Sequence, residues 1–329
     1  MPLIHLSNGK AFAANDGEAL LDAGLRAGVT LPYSCRTGRC STCRCRVSAG
    51  TTVALHAETG LTPAEQAQGW VLGCVRSATS DVTLEVEDLG DVPPARTLAC
   101  RIHAIERPAP DVMRIMLRLP PTAEFDYRPG QYVDVIGAGG IRRSYSIANA
   151  ASAEKRIELH VRQVEDGVMS AFWFNEARHN DLLRLHGPLG TFFLRDIAGL
   201  DLVFLATGTG IAPVKAILEG LAALPAAEAP RTTTVYWGGR HPADLYWTPD
   251  AAMGEVRFVR VLSRADARWE GARGHVQDVF AATSPDLSRT AVYACGSDAM
   301  IHAAHRRLVD AGLPERRFSS DAFVCSAAV

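Results

Sequence analysis

Residues 35–43 read Cys35-Arg36-Thr37-Gly38-Arg39-Cys40-Ser41-Thr42-Cys43, inside the longer run PYSCRTGRCSTCRCR of residues 32–46. Cys45, Arg44 and Arg46 complete a set of four cysteines and four arginines within that run. Thirty residues separate Cys43 from Cys74, which stands alone in GWVLGCVRS. A single cysteine reads as a small buried hydrophobe. Three thiols at spacings of four and two intervening residues, with a fourth at a distance, read instead as a ligand set.

Two metal readings compete for it. The Cys35-x4-Cys40-x2-Cys43…Cys74 spacing matches that of a plant-type 2Fe–2S cluster, which needs four thiolates around two irons. Zinc also takes four ligands, but usually as two short Cys/His pairs, and Cys74 has no such neighbour. Gly38 is placed to supply a positive φ in the loop. Cys45 falls outside the pattern and reads as a structural thiol.

Working outward, the chain has 329 residues, which suggests two or three domains. Its formal net charge of −2 offers no global basic field for nucleic acid. No apolar run is long enough for a membrane span, and the N-terminus lacks the plan of a signal peptide. Eight cysteines in such a chain suit metal ligands or thiols better than disulfides, pointing to the cytoplasm. Val82–Val86 alternates as a strand and runs into Pro93-Pro94, a stiff linker. The expected division is 1–92, a linker over 93–97, then 98–198 and 199–329.

From Leu98 to about Leu194, short alternating strands (Val112–Leu119, Gln131–Ile136, Arg142–Ile147, Arg156–Val161) are broken by Pro and Gly, predicting a small antiparallel barrel. It carries Arg143-Ser144-Tyr145-Ser146, the loop Gly167-Val168-Met169-Ser170, and GPLGTFFL with Gly190 and Thr191. A flavin dinucleotide needs a cation and free amides for its pyrophosphate and a wall for its ring. Arg143 and the amides of Gly167–Ser170 meet the first need, and Tyr145 and Ser146 the second. The plain alternative is an ordinary exposed Arg-Ser strand.

After Leu200, buried strands alternate with helical stretches, predicting a parallel sheet covered by helices. Three strand ends carry glycine: Gly208-Thr209-Gly210-Ile211-Ala212-Pro213, Tyr236-Trp237-Gly238-Gly239-Arg240 and Cys295-Gly296-Ser297. Pro213 spoils the G-x-G-x-x-G fingerprint. The carboxyl ends of parallel strands nevertheless bind dinucleotides, where glycines admit the ligand to the backbone. Ser263-Arg264 leaves NADPH open, since an arginine beside the adenosine ribose suits a 2′-phosphate; Arg264 as a solvated loop cation leaves NADH.

PYSCRTGRCSTC resembles the cluster loop of plant-type ferredoxin modules fused to flavin reductases, with Ser41 where those loops usually have glycine. RRSYS and GTGIAP resemble the flavin and nicotinamide segments of the ferredoxin–NADP reductase superfamily. The resemblance covers essentially the full chain and implies a β-grasp ferredoxin domain, an antiparallel FAD barrel and a parallel-sheet NAD(P) domain. It implies Cys35, Cys40, Cys43 and Cys74 as cluster ligands. It also implies Cys295 beside the nicotinamide and Phe323 over the flavin ring, where the plain alternatives are a buried thiol and a core phenylalanine. LRLPPTA, YRPGQYVDVI, IELHVRQV, YACGSDAMI and SDAF are similar to the CDP-6-deoxy-Δ3,4-glucoseen reductases, while CRTGRCSTCRCRV is as similar to reductases of aromatic-ring oxygenases.

The implied enzyme is an NADH-dependent oxidoreductase that passes electrons through FAD and the cluster to a protein acceptor, a sugar dehydrase or an oxygenase component. The superfamily site would use Ser146, Cys295 and Phe323 around hydride transfer and Gly208, Thr209, Gly210, Pro213, Gly238, Arg240, Ser263, Arg264, Cys295 and Gly296 at NAD. A non-enzymatic iron–sulfur sensor would not need the three glycine-bearing strand ends. Four of the seven cations before residue 81 crowd the cluster loop. They serve either solubility or the docking of an acidic acceptor surface.

Overall fold

A computed structural model describes residues 1–324; the last five positions of the expected third domain, 325–329, lie outside the described residues. The chain divides into two compact units, one comprising Met1–Val92 with the stretch from Asp321, the other Pro93–Ser320.

In the first unit a mixed five-stranded sheet has the order Ala11–Ala13, Leu3–Leu6, Val82–Glu85, Arg44–Ala49, Trp70–Leu72. Leu3–Leu6 pairs parallel with Val82–Glu85 and antiparallel with Ala11–Ala13, so the last strand of the module lies beside the first. The alternation in Val82–Glu85 sends Val82 and Leu84 inward, where they meet Ile4, Leu6, Leu20 and Leu72. The helix Leu20–Arg26 buries Leu20, Leu21, Ala23 and Gly24 against this sheet, completing a β-grasp. The Glu18 carboxylate is occupied outside the helix, accepting from the Asn15 amide at 2.8 Å and from Arg26.

In the second unit six antiparallel strands run Arg142–Ser146, Tyr132–Ile136, Leu182–Leu189, Arg96–Ala109, Val112–Arg118, Arg156–Arg162. An Ile147–Leu159 bridge joins the end of the first to the last and closes the barrel. Closure removes the open edges that would otherwise recruit other strands. The strand Arg156–Arg162 alternates poorly because Ile157 through Val161 are all buried, among them Glu158 and His160. The loop after it forms one turn of α-helix, Val168–Ala171, then a π-helical turn, Phe172–Glu176, that buries Trp173.

The third sheet has the order Ala272–Arg273, Arg257–Leu262, Thr232–Gly239, Asp201–Thr207, Thr290–Gly296, Phe318–Ala322. Asp201–Thr207 pairs parallel with both neighbours. Its centre and all of Thr290–Gly296 are buried, as continuous apolar strands between helical layers should be. Helices Ile211–Leu221, Val276–Ala281 and Asp298–Asp310 cover the sheet.

Candidate functional site

The cluster loop is almost free of regular structure and is held by its backbone. Gly38 has φ +75°, and a Cβ there would stand 2.5 Å from the Ala57 carbonyl, so only glycine fits. Ser41 also sits at positive φ, +61°, and its hydroxyl donates to the Gly60 carbonyl. The hydroxyl is therefore spent on a backbone acceptor. The Gly60 amide donates to the Gly38 carbonyl at 2.9 Å, tying the loop to residue 60 from a second side.

The four thiols gather as two hydrogen-bonded pairs, Cys35 with Cys40 and Cys43 with Cys74. The bond from Cys40 is the main cause that draws the Cys35 thiol down to about 5, and Cys43 likewise lowers Cys74. Cys40 and Cys43 are driven up by the same bonds and by burial. Amides already point at sulfur: Cys35 N lies 3.4 Å from Cys40 Sγ, and Thr37 N 3.4 Å from Cys35 Sγ. Among the described residues no three His, Cys, Asp or Glu side chains converge on a single ion. Four thiols gathered in this way meet the four-thiolate need of a 2Fe–2S cluster. Cys45 points into the hydrophobic core, where burial pushes its thiol up to about 12.

Most of the basic rim is paired. Arg36 bonds Asp22, Arg44 lies 3.2 Å from Glu65 and 4.4 Å above the Trp70 ring, and Arg46 lies 3.7 Å from Glu85. Arg36, Arg39 and Arg46 are exposed and Arg44 is half-buried.

In the barrel, Arg142–Ser146 pairs antiparallel with Tyr132–Ile136, setting Ser146 opposite Tyr132 and Arg143 opposite Val135. The Tyr145 hydroxyl accepts from Trp173 Nε1 at 3.0 Å, and burial raises it to about 12. Arg143 is half-buried and donates to the Arg142 carbonyl at 2.7 Å; Ser146 is buried. Gly190, at φ +82°, lies so close under the Tyr132 ring that a Cβ would come within 2.6 Å of it. Its carbonyl accepts from buried Gln131 at 3.0 Å, and Thr191 beside it is buried. The Gly167–Ser170 side chains do not converge. Met169 packs into the barrel core, Ser170 Oγ accepts from the Val164 amide at 2.8 Å, and Val168 is exposed. What this loop offers a ligand is its backbone.

At the third sheet the glycine-bearing strand ends come together. A Cβ on Gly210 would stand 2.3 Å from the Cys295 carbonyl, and one on Gly296 2.5 Å from the Thr207 carbonyl. Thr207 Oγ1 accepts from the Ser297 amide at 2.8 Å, and Trp237 Nε1 donates to the Gly208 carbonyl at 2.9 Å. Pro213 and Cys295 are buried, as are Thr209 and Gly238. Farther along, Ser263 Oγ donates to the Gly239 carbonyl at 3.3 Å, and the Arg264 amide to the Arg240 carbonyl at 3.2 Å. Two residues escaped sequence reading: Arg162, whose guanidinium would sit 2.7 Å from a Cβ on Gly208, and Asp244, which accepts from the Arg240 and His241 amides. Only tertiary structure brings Arg162 to these strand ends, whereas Asp244 caps the turn that follows Gly239-Arg240. Phe323 is partly exposed, just beyond Phe318–Ala322.

Three family models match in succession: a 2Fe-2S iron-sulfur cluster binding domain at residues 4–79, an oxidoreductase FAD-binding domain at 99–194 and an oxidoreductase NAD-binding domain at 204–306. The CDP-6-deoxy-L-threo-D-glycero-4-hexulose-3-dehydrase reductase of Yersinia pseudotuberculosis is 41% identical over 97% of both chains. The chain belongs to the iron–sulfur flavoprotein reductases of the ferredoxin–NADP reductase superfamily. Reductase component 1 of terephthalate 1,2-dioxygenase from a Comamonas species is 30% identical over 96% of this chain and 95% of its own. Among solved structures, the Amycolatopsis cytochrome P450 reductase GcoB superposes with a TM-score of 0.74 at 31% identity, over 98% of this chain and 99% of its own.

This reductase is therefore an NADH-dependent oxidoreductase that uses FAD and a 2Fe–2S cluster to deliver electrons to a protein acceptor. Bound together, the flavin and the cluster convert a two-electron donor into single-electron steps. No helix among the described residues is long and apolar enough to cross a membrane.

Proposed function

We propose that this reductase serves a sugar 3-dehydrase, as the Yersinia relative's name says of that protein, with Cys35, Cys40, Cys43 and Cys74 holding the cluster. Three thiols of one pre-shaped loop, paired among themselves and with the remote Cys74, carry the ligand assignment. Arg143 and the Gly167–Ser170 amides receive the FAD pyrophosphate, Tyr145 and Ser146 wall the ring, and Gly190 and Thr191 leave the ring room. Gly208, Thr209, Gly210 and Pro213 seat the nicotinamide half of NADH. Cys295 and Gly296 stand beside it, and Gly238, Arg240, Ser263 and Arg264 line the adenosine half. Phe323 covers the flavin until the nicotinamide enters. The domain limits are 1–92, 98–198 and 199–329, around a linker at 93–97, and the cytoplasm is the compartment, in keeping with described cysteines that are all free.

An anaerobic titration with NADH, followed by visible and EPR spectra with NADPH in parallel, tests the electron chain. Bleaching of the flavin followed by a reduced 2Fe–2S signal is expected, and an absent signal overturns the ligand assignment. Candidate dehydrase and oxygenase partners then compete: equal, slow reduction of both removes the support for the dehydrase. The oxygenase reading is kept because the Comamonas relative and GcoB align over nearly the full chain.

The acceptor is proposed to present an acidic face to the cluster loop. Arg36 and Arg39 are the exposed cations within it, whereas Arg44, stacked on Trp70, reads as structural. Charge of this kind acts mainly on encounter. In the Arg36→Glu, Arg39→Glu double variant, acceptor reduction at low salt should slow by about tenfold while ferricyanide reduction is spared. Unchanged acceptor rates would reduce the rim to solubility.

A further inference from the structure

The second unit contains a buried charged junction that none of the assigned sites uses. Lys215, in the helix Ile211–Leu221, is 7% exposed although its neighbours Ala212–Leu218 are apolar and buried. Its ammonium has three protons and three acceptors: the Ala148 carbonyl at 3.0 Å, Glu158 Oε2 at 3.1 Å and Glu219 Oε1 at 2.6 Å. Glu158, 7% exposed, also takes His160 Nε2 at 2.8 Å, and His160 Nδ1 lies 3.0 Å from the Tyr246 hydroxyl. Glu219 further accepts from the Ala150 amide at 2.8 Å. Asn149, between the two bonded backbone positions, accepts from the Glu158 amide at 2.8 Å.

The attachment points are specific. Ala148 and Ala150 lie two and four residues beyond Ser146, on the segment that leaves the strand Arg142–Ser146. Lys215 lies five residues beyond Gly210, in the second turn of the helix that the Gly208–Gly210 turn opens. One ammonium thus joins the barrel segment beside the proposed flavin wall to the helix behind the proposed nicotinamide seat. Apolar packing backs the same contact: a Cβ on Gly220 would meet Pro129 at 3.0 Å, and one on Gly130 would meet Ile217 at 3.1 Å.

Stability alone is a weak reason to bury such a group. Exchanging buried ions for apolar residues is often neutral or stabilising, because desolvation offsets the Coulomb gain. What a saturated ionic junction adds over a greasy contact is direction, since each acceptor must lie on a proton axis.

We propose that Lys215 is a positioning residue for hydride transfer, setting the register between the Ser146 segment and the Gly208–Gly210 turn through the Ala148 carbonyl, Glu158 and Glu219. This rests on the proposed reading of those segments as flavin and nicotinamide seats. Reduction of the wild-type flavin by NADH is therefore measured first, because its failure would sink that reading and not this one.

Lys215→Met holoenzyme is then compared with wild type by FAD content, NAD⁺ affinity, the long-wavelength charge-transfer absorption of NAD⁺ with reduced flavin, and the limiting rate of flavin reduction. Misplacing reacting groups by about 1 Å costs up to ~100-fold in rate. The expected result is full FAD, NAD⁺ affinity within about threefold, a weakened charge-transfer band and a limiting rate lowered about 10- to 100-fold. Glu219→Gln, which keeps an acceptor but removes the charge, should show a smaller loss of the same two signals. A limiting rate and band unchanged in Lys215→Met overturn the proposal, as does a change confined to NAD⁺ affinity. If Lys215→Met loses FAD, Glu219→Gln decides by the same two signals. Loss of FAD from both variants makes the junction a support for the barrel and overturns the registry role.

Discussion

Along residues 35–43 the candidate ligand atoms are side-chain sulfurs on an irregular loop, whereas at Thr207–Gly210 and Cys295–Gly296 the candidate contacts are main chain at the ends of buried strands. In the first region the backbone is held at Gly38 against Ala57 and at Ser41 against Gly60, and the sulfurs are the candidate ligands. In the second, two strand ends are pressed together until no Cβ fits between them, and the sheet itself makes the candidate site. A side-chain site fails when a ligand atom is removed, and a main-chain site fails when an atom is added.

The sharpest way to break this contrast is to delete a sulfur. Cys40→Ala should abolish the 2Fe–2S EPR signal and acceptor reduction while NADH still bleaches the flavin. Cys45→Ala, two residues beyond Cys43, should keep the cluster and lose only about 1 kcal/mol of stability. Equal cluster loss in both variants would mean that position does not sort the thiols.

Adding an atom is the complementary test. Gly210→Ala places a methyl group where the Cys295 carbonyl now stands 2.3 Å away. Its KM for NADH should rise by about tenfold, roughly 1.4 kcal/mol, with FAD and iron contents unchanged. An unaltered KM would show that this strand-end gap is not part of the nicotinamide seat.

The smallest effect concerns His160, which lies in neither region. Burial lowers its pKa from the ordinary 6.5, so the folded protein keeps it neutral where the unfolded chain is protonated. The unfolded state then binds more protons, and stability falls as pH drops below about 6.5, by at most ~1.4 kcal/mol per pH unit. Glu158 acts in the same direction but lower in range: its lowered pKa favours the fold above its ordinary 4.5, so it adds little slope between pH 5 and 6.5. Thermal melts of wild type and His160→Gln over that interval should differ in slope by about one proton. Parallel slopes would remove the buried histidine from the account.

The same contrast explains what was legible in the sequence. Thiols announce themselves by identity and spacing, so the gathering of Cys35, Cys40, Cys43 and Cys74 could be read directly. The glycine turns were legible through their place after apolar runs, and barrel strands such as Arg142–Ser146 fell within a residue of their expected ends. Arg162 and Asp244 were not: nothing in the local sequence of Arg162 tells that a barrel strand end comes to Gly208, and Asp244 belongs to no motif that marks it as the cap of the turn after Gly239. Lys215 left a trace that went unread: a lone cation in IAPVKAIL, within a helix whose other residues ask to be buried. Glu158 and His160 left the same trace in the strand IELHVR.

The stitching of residue 60 to both Gly38 and Ser41 has a thermodynamic consequence. Two bonds made wholly by the chain hold the cluster loop in shape, and both require the segment that follows the third cysteine in the order of synthesis. Part of the entropy cost of ordering that loop is therefore met by contacts of the polypeptide with itself.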